Sequence, residues 1–245
     1  MIKAILLDLD NTLLGNDMDV FLPHYFDLCG TLGERHLPRE AFMQALLGAS
    51  RTMVQNIDPA RTNNEVFWDQ FNGLSGLDSD VIEADFDRFY HNEFEQLRQY
   101  TQPSPLAKRL VNASFARRLS VVIATNPMFP RQAIETRLQW AGVPVSEYPY
   151  ALVTTMENMH ATKPQAAYYQ EILDAVGCGP EEALMVGDDV RHDIAPAAAM
   201  GLFTYWIELP GAELPPGLRP TAQGSLEKLV LGMESGWLSS KPDLP

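Results

Sequence analysis

Lysine is scarce in this sequence. Only Lys3, Lys108, Lys163, Lys228 and Lys241 occur in 245 residues, and lysine and arginine together number 18 against 32 aspartates and glutamates. The formal net charge of -14 makes the surface as a whole repel nucleic acid and anionic membranes. Phosphate can then be held only where individual cations are placed for it. Cysteine is scarcer still: Cys29 and Cys178 stand alone without metal-type spacing, which argues against a zinc site and fits a reducing, cytoplasmic setting. No apolar run approaches the ~20 residues needed to span a bilayer. The apolar N-terminus breaks at Asp8 and Asp10 and has no small-residue cleavage site, so it reads as a first strand and not as a signal peptide.

What is present fits a folded globular chain, with 46% hydrophobic and 20% charged residues. Short runs rich in Val, Ile, Leu and Ala lie at 1–8, 119–124, 150–154, 183–187 and 202–207. Runs of this kind read as strands buried on both faces, typical of a parallel sheet. Helical patterns stand between them. One covers Arg131 to Trp140 and runs to Gly142. Another covers Gln165 to Val176, with Pro164 at a first helical position and a stop at Gly177. A third covers Ile194 to Met200 and ends at Gly201. The alternation predicts an α/β fold with a doubly wound parallel sheet.

The stretch from about 16 to 102 breaks this rhythm and predicts an inserted helical domain. Its aromatic pairs Phe67/Phe71, Phe86/Tyr90 and Tyr90/Phe94 are each spaced four apart, which places each pair on one helix face. They read as a helical-bundle core in preference to a cofactor pocket. Gly15 on one side and Pro103-Ser104-Pro105 on the other mark the two connections. The expected division is a core of 1–15 and 103–245 with a helical domain of 16–102. A loop over 210–224, a short helix at Leu226 to Leu231 and a frayed tail complete the expectation.

Four short motifs sit at strand ends or helix starts. Asp8-Leu9-Asp10-Asn11-Thr12 closes the first strand, and alone it reads equally as an Asx-turn. Thr125-Asn126 follows the buried run at 121–124, where a helix N-cap is the plain reading. Lys163-Pro164 puts a lysine at an N-cap, against the helix dipole, which points to a compensating anion nearby. Asp188 and Asp189 follow Leu184–Gly187, with Asp193 soon after. Parallel strand ends gather at one edge, where ligands bind. Carboxylates collected there repel unless a cation joins them, and a set of hard oxygen ligands favours Mg²⁺.

As an ordered set over roughly 1–15 and 103–210, these motifs resemble those of the haloacid dehalogenase superfamily of phosphohydrolases. The insertion after the first motif is similar to that superfamily's alpha-helical cap. The resemblance implies a phosphoric monoester hydrolase acting on a small phosphorylated metabolite. Asp8 would be the nucleophile and Asp10 the general acid, then the base that activates water. Asp8, the Asp10 backbone carbonyl and Asp188 would bind Mg²⁺, with Asp193 or Asp189 in support. Thr125 and Asn126 would hold the phosphoryl oxygens, and Lys163 would offset their charge.

The same resemblance separates the superfamily's chemistries. Its dehalogenases lack the second aspartate, which is present here as Asp10. Its phosphonate hydrolases need a cap lysine, and 16–102 holds six arginines and no lysine. A phosphosugar mutase would need a second phosphate site in the cap, for which Arg51 and Arg61 are the candidates. The fifteen acidic residues of that span favour surface ion pairing for them instead. Outside catalysis stand a receiver-type signalling module and a phosphate-binding scaffold. The insertion and Asp10 argue against the first, and the complete motif set against the second.

Overall fold

The computed structural model describes residues 1–236. The expected frayed tail at the end of the chain lies outside them.

The strands are β1 (Ala4–Leu7), β2 (Leu14–Asn16), β3 (Thr101–Pro103), β4 (Ser120–Ile123), β5 (Leu152–Val153), β6 (Ala183–Gly187), β7 (Phe203–Ile207) and β8 (Ala222–Gly224). Six form one sheet in the order β5-β4-β1-β6-β7-β8, parallel throughout. Alternate residues of β1 point to opposite faces. Ile5 and Leu7 join one apolar cluster, and Ala4 and Leu6 join another. Both faces are therefore covered, which is why these strands read as unbroken apolar runs.

The helices are α1 (Met18–Gly33), α2 (Arg39–Val54), α3 (Asn63–Ser75), α4 (Ser79–His91), α5 (Pro105–Ala116), α6 (Arg131–Trp140), α7 (Ala166–Val176), α8 (Ala195–Ala199) and α9 (Leu226–Ser235). Helices α1–α4 and a 3-10 turn at Glu93–Tyr100 stand between β2 and β3, which pair as a two-stranded antiparallel ribbon. The ribbon is where Gly15 and Pro103 predict the two connections. Close approach there uses Gly15, because a Cβ would meet the Gln102 carbonyl oxygen at 3.0 Å.

The aromatic pairs behave as bundle core with one exception. Phe67 and Phe71 stack at 5.9 Å between centroids, and Phe86 and Tyr90 lie 6.2 Å apart. Tyr90 and Phe94 also touch, at 5.4 Å, but not on one helix face. Helix α4 ends at His91, capped at Asn92, and Phe94 belongs to the following 3-10 turn. The turn folds Phe94 back, and it stacks on Trp140 of α6 at 5.4 Å.

Two helix starts differ from the sequence pattern. Pro164 is not a first helical residue: it follows Lys163 through a cis peptide bond, and α7 begins at Ala166 with Gln165 as its N-cap. The turn is held by the Gln165 N–H donating to the Thr162 carbonyl at 2.9 Å. The helix predicted at 194–200 is present as α8, which starts one residue later. Residues Val190–Ile194 form a π-helical turn, and α8 follows it. The insertion is tied to the sheet side through residues 156–165. Asn63 and Asn64 N–H groups donate to the Met159 and Met156 carbonyls, and Thr162 and Gln165 side chains both donate to the Val54 carbonyl.

Candidate active site

Neighbouring parallel strands β1 and β6 end side by side, so the aspartates that follow them arrive at the same sheet edge. The Asp8 N–H continues the ladder, donating to the Val186 carbonyl at 2.9 Å. The chain then doubles back at once. Asn11 takes a left-handed φ of 57°, which asparagine tolerates better than most residues, and its Oδ1 accepts from the Asn16 N–H. After β6, Asp193 returns from the π-helical turn to the strand end. Gly187 makes room for it, since a Cβ there would run into the Asp193 carboxylate.

Lys163 joins these pieces. Its Nζ donates to Asp8 Oδ1 at 2.8 Å and to Asp193 Oδ1 at 2.5 Å, and it is only 2% exposed. The anion that the sequence pattern calls for is thus a pair of buried carboxylates, although Lys163 is not the N-cap of α7. Burial works against the charge on Lys163, but Asp193 and Asp8 overcome it and hold its ammonium well above the usual lysine range.

One cation is too few for the carboxylates around it. Oxygens of Asp8, Asp188 and Asp193 all lie within 4.8 Å of one another. Burial raises the Asp8 carboxyl well above the usual range; Lys163 pulls it down, and Asp193 and Asp188 push it up again. Asp188 is pushed up to about 7 by burial and by Asp193. This surplus of crowded negative charge, presented by oxygen ligands alone, fits a hard divalent cation. Asp10 contributes no carboxylate oxygen to the cluster.

Asp189 is occupied elsewhere, which separates it from Asp193. Its Oδ1 accepts from the Arg191 and His192 N–H groups and its Oδ2 bonds the His192 ring, and the His192 contact drives its carboxyl down to about 2. Asp189 therefore caps the π-helical turn, while Asp193 holds Lys163.

Asp10 has a partner that the sequence reading missed. Arg137 of α6 donates from Nη1 to Asp10 Oδ2 at 2.7 Å and Oδ1 at 3.0 Å, and Asn16 Nδ2 donates to Oδ1 at 2.8 Å. Arg137 is 1% exposed, its guanidinium lies over the Phe129 ring at 4.7 Å, and its Nε and Nη2 have no hydrogen-bond partner. A signal for it exists in the sequence. Ile134, Arg137, Leu138 and Ala141 recur at the three- and four-residue spacing of one buried helix face, so the arginine stands where an apolar residue belongs.

Thr125 and Asn126 follow the end of β4, and neither caps a helix, since α6 starts later with Pro130 as its N-cap. The Thr125 carbonyl accepts from the Thr154 and Tyr168 hydroxyls at 2.7 and 2.9 Å. Asn126 Oδ1 accepts from the Lys163 N–H at 3.2 Å, linking the second and third motifs directly. The two arginines of the insertion part company. Arg61 pairs with Asp69 at 3.3 Å, whereas Arg51 lines a cavity between the insertion and the sheet edge and has no ion-pair partner among the described residues.

The haloacid dehalogenase-like hydrolase family matches residues 2–201. This chain belongs to that family. Curated relatives match over short stretches. Human haloacid dehalogenase-like hydrolase domain-containing protein 2 is 38% identical over 66 residues, 24% of this chain and 26% of that protein. A phospholysine phosphohistidine inorganic pyrophosphate phosphatase from Xenopus laevis is 48% identical over 40 residues, 16% of this chain and 15% of its own length. The chain thus spans about a quarter or less of the curated relatives it matches.

Solved structures of the family agree over nearly the whole chain. A phosphatase from Thermococcus onnurineus superposes with a TM-score of 0.59 at 21% identity, covering 94% of this chain and 98% of that one. A 2-haloacid dehalogenase from Pseudomonas syringae pv. Tomato gives 0.61 at 22% identity, with 97% and 100% covered. These likenesses show the fold, which haloacid dehalogenase-like phosphatases and dehalogenases share. Among the described residues no helix is long and apolar enough to cross a membrane.

Proposed function

We propose that this chain is a Mg²⁺-dependent phosphatase that hydrolyses the phosphate ester of a small metabolite through a phosphoryl group carried on Asp8. The observation that supports this most is buried Asp8, Lys163 and Asp193 with half-buried Asp188 at one sheet edge, and Asp10 two residues after Asp8. In this reading, residues 16–102 are a cap over a core of 1–15 and 103–245.

Asp8 attacks phosphorus through a carboxylate oxygen, and the bond from phosphorus to the ester oxygen breaks. That oxygen leaves as an alcohol after Asp10 gives it a proton. Water then loses a proton to Asp10, attacks the same phosphorus, and frees inorganic phosphate with Asp8 restored. Asp10 Oδ1 accepts two hydrogen bonds and Oδ2 one, so Oδ2 is the oxygen with a lone pair left for this work. Lys163 balances the charge of Asp8 and the transferred group. Thr125 and the amides near Asn126 hold the phosphoryl oxygens. Asp8, the Asp10 carbonyl and Asp188 would hold Mg²⁺, with Asp193 supporting, and the ion would supply charge neutralisation at the phosphoryl oxygens. Dehalogenation fits less well, because a departing halide needs no proton and would be repelled by Asp188 and Asp193.

The test is phosphate release from a panel of phosphate esters. Release should need Mg²⁺, stop in EDTA, and fall by at least about 10³-fold in Asp8→Asn with the fold intact. Full turnover in chelator, or near-native turnover in Asp8→Asn, would overturn the reading.

A further inference from the structure

Between the insertion and the sheet edge lies a cavity of about 670 Å³, within the usual range for small-molecule sites. None of the motif residues lines it, but three of its wall residues touch side chains that belong to the motifs or hold Asp10. Met18, on its wall, accepts a hydrogen bond through Sδ from the same Asn16 side chain that holds Asp10. Met128, also on its wall, accepts one from Asn126. Phe129 contributes its ring to the wall while carrying Arg137, the partner of Asp10. This neighbouring space is the candidate place for the alcohol that a phosphate ester on Asp8 would lose.

The wall is mostly apolar, with Gln55, Asn64 and Gln132 among its few uncharged polar side chains. Its rings include Tyr25, Phe67, Trp68, Phe86, Tyr90 and Phe129. The two tyrosine hydroxyls bond each other at 2.7 Å, and the Ser50 hydroxyl is donated to the Leu46 carbonyl at 2.9 Å. Both Glu157 carboxylate oxygens accept from the Arg131 N–H. A polyhydroxylated alcohol would lay most of its hydroxyls against apolar surface, at a cost, whereas a ring would gain from burial. Charge adds a second restriction. Glu83, Asp87, Glu135 and Glu157 outnumber Arg51 and Arg131 on the wall, so a second phosphate on the substrate meets a net negative surface.

Resting on the phosphatase reading above, we infer that the substrates of this chain are monophosphate esters whose alcohol part is a bulky, ring-bearing group without further anionic charge. Small acids, open-chain polyols and bisphosphates are disfavoured by the same wall. The space also far exceeds what a two- or three-carbon alcohol fills.

Two alkyl esters with leaving groups of similar acidity, 2-(1-naphthyl)ethyl phosphate and ethyl phosphate, test this directly. The kcat/KM of the first should exceed that of the second by about a hundredfold, the size expected for several buried methylene equivalents. Ser50→Trp, which fills the cavity, should bring the ratio close to one. The ratio cancels any general loss of folded or active protein. A purine nucleoside 5′-monophosphate and glucose 6-phosphate distinguish a base-bearing metabolite from a sugar; preference for the sugar phosphate or for a bisphosphate would overturn the inference. Binding supplies a readout independent of turnover. Calorimetry should show 2-(1-naphthyl)ethylphosphonate binding to the wild type and not to Ser50→Trp. Phosphate release with a ratio near one in the wild type would sink the cavity assignment and leave the phosphatase. No release from any ester, with phosphonate binding that Ser50→Trp removes, would do the reverse. Neither release nor binding would sink both.

Discussion

The sheet edge and the helical insertion are built on opposite rules. At the edge, Lys163 lies between Asp8 and Asp193, and each group is tolerated inside the protein only because the others are there. In the insertion, Phe42, Phe71 and Phe86 pack ring against ring with no polar partner to satisfy. The first arrangement is sensitive to removal of any one member. The second loses stability in proportion to the atoms removed. The comparison teaches where chemistry has been placed at the expense of packing, and it can be broken by measurement.

The largest effect is expected from Lys163→Met. It leaves Asp8 and Asp193 buried without a cation, and should cost about 3–5 kcal/mol in urea unfolding at neutral pH. A cost below about 1 kcal/mol would mean water already reaches these carboxylates, and the contrast would fail.

Asp188→Asn should have a smaller effect, opposite in sign. The Asp188 carboxyl is raised from 3.8 to about 7, so the folded protein holds a proton there that the unfolded chain gives up. Stability of the metal-free protein therefore falls as pH rises from 3.8 to about 7. In EDTA, Asp188→Asn should match the wild type near pH 4 and exceed it by about 1–3 kcal/mol at pH 8. Added Mg²⁺ should raise the wild-type Tm more at pH 8 than at pH 5. A variant no more stable than wild type at pH 8 would place the surplus charge elsewhere.

Phe71→Leu sharpens the other side of the comparison. A buried change of shape of this kind should cost about 1 kcal/mol and leave the effect of Mg²⁺ on Tm unchanged. A changed Mg²⁺ response would tie the ring cluster to the sheet edge.

Much of this molecule could be read from its letters. The parallel strands were visible because burial on both faces leaves an apolar run, as at Ala183–Gly187. Lys163 is marked by its place beside a helix start, where a cation opposes the helix dipole, although Gln165 and not Lys163 caps the helix. The residues that escaped notice did so for physical reasons. Arg137 looks like any arginine on an amphipathic helix until its position on the buried face is counted. Ribbon strands β2 and β3 are three residues each, too short for a period to show. The Tyr90/Phe94 spacing imitates a helix face, although Asn92 ends the helix between them. The choice between Asp189 and Asp193 depends on a π-helical turn that no simple periodicity announces.

The β2–β3 ribbon joins the insertion to the rest of the chain by two adjacent legs, and Asn16 is part of one of them. The side chain of Asn16 grips Asp10. A lever anchored in this way transmits tilt to whatever its fulcrum touches. Any tilt of the four helices would therefore be felt first at the Asp10 carboxylate, which under the phosphatase proposal would link arrival of an alcohol part to readiness of the acid.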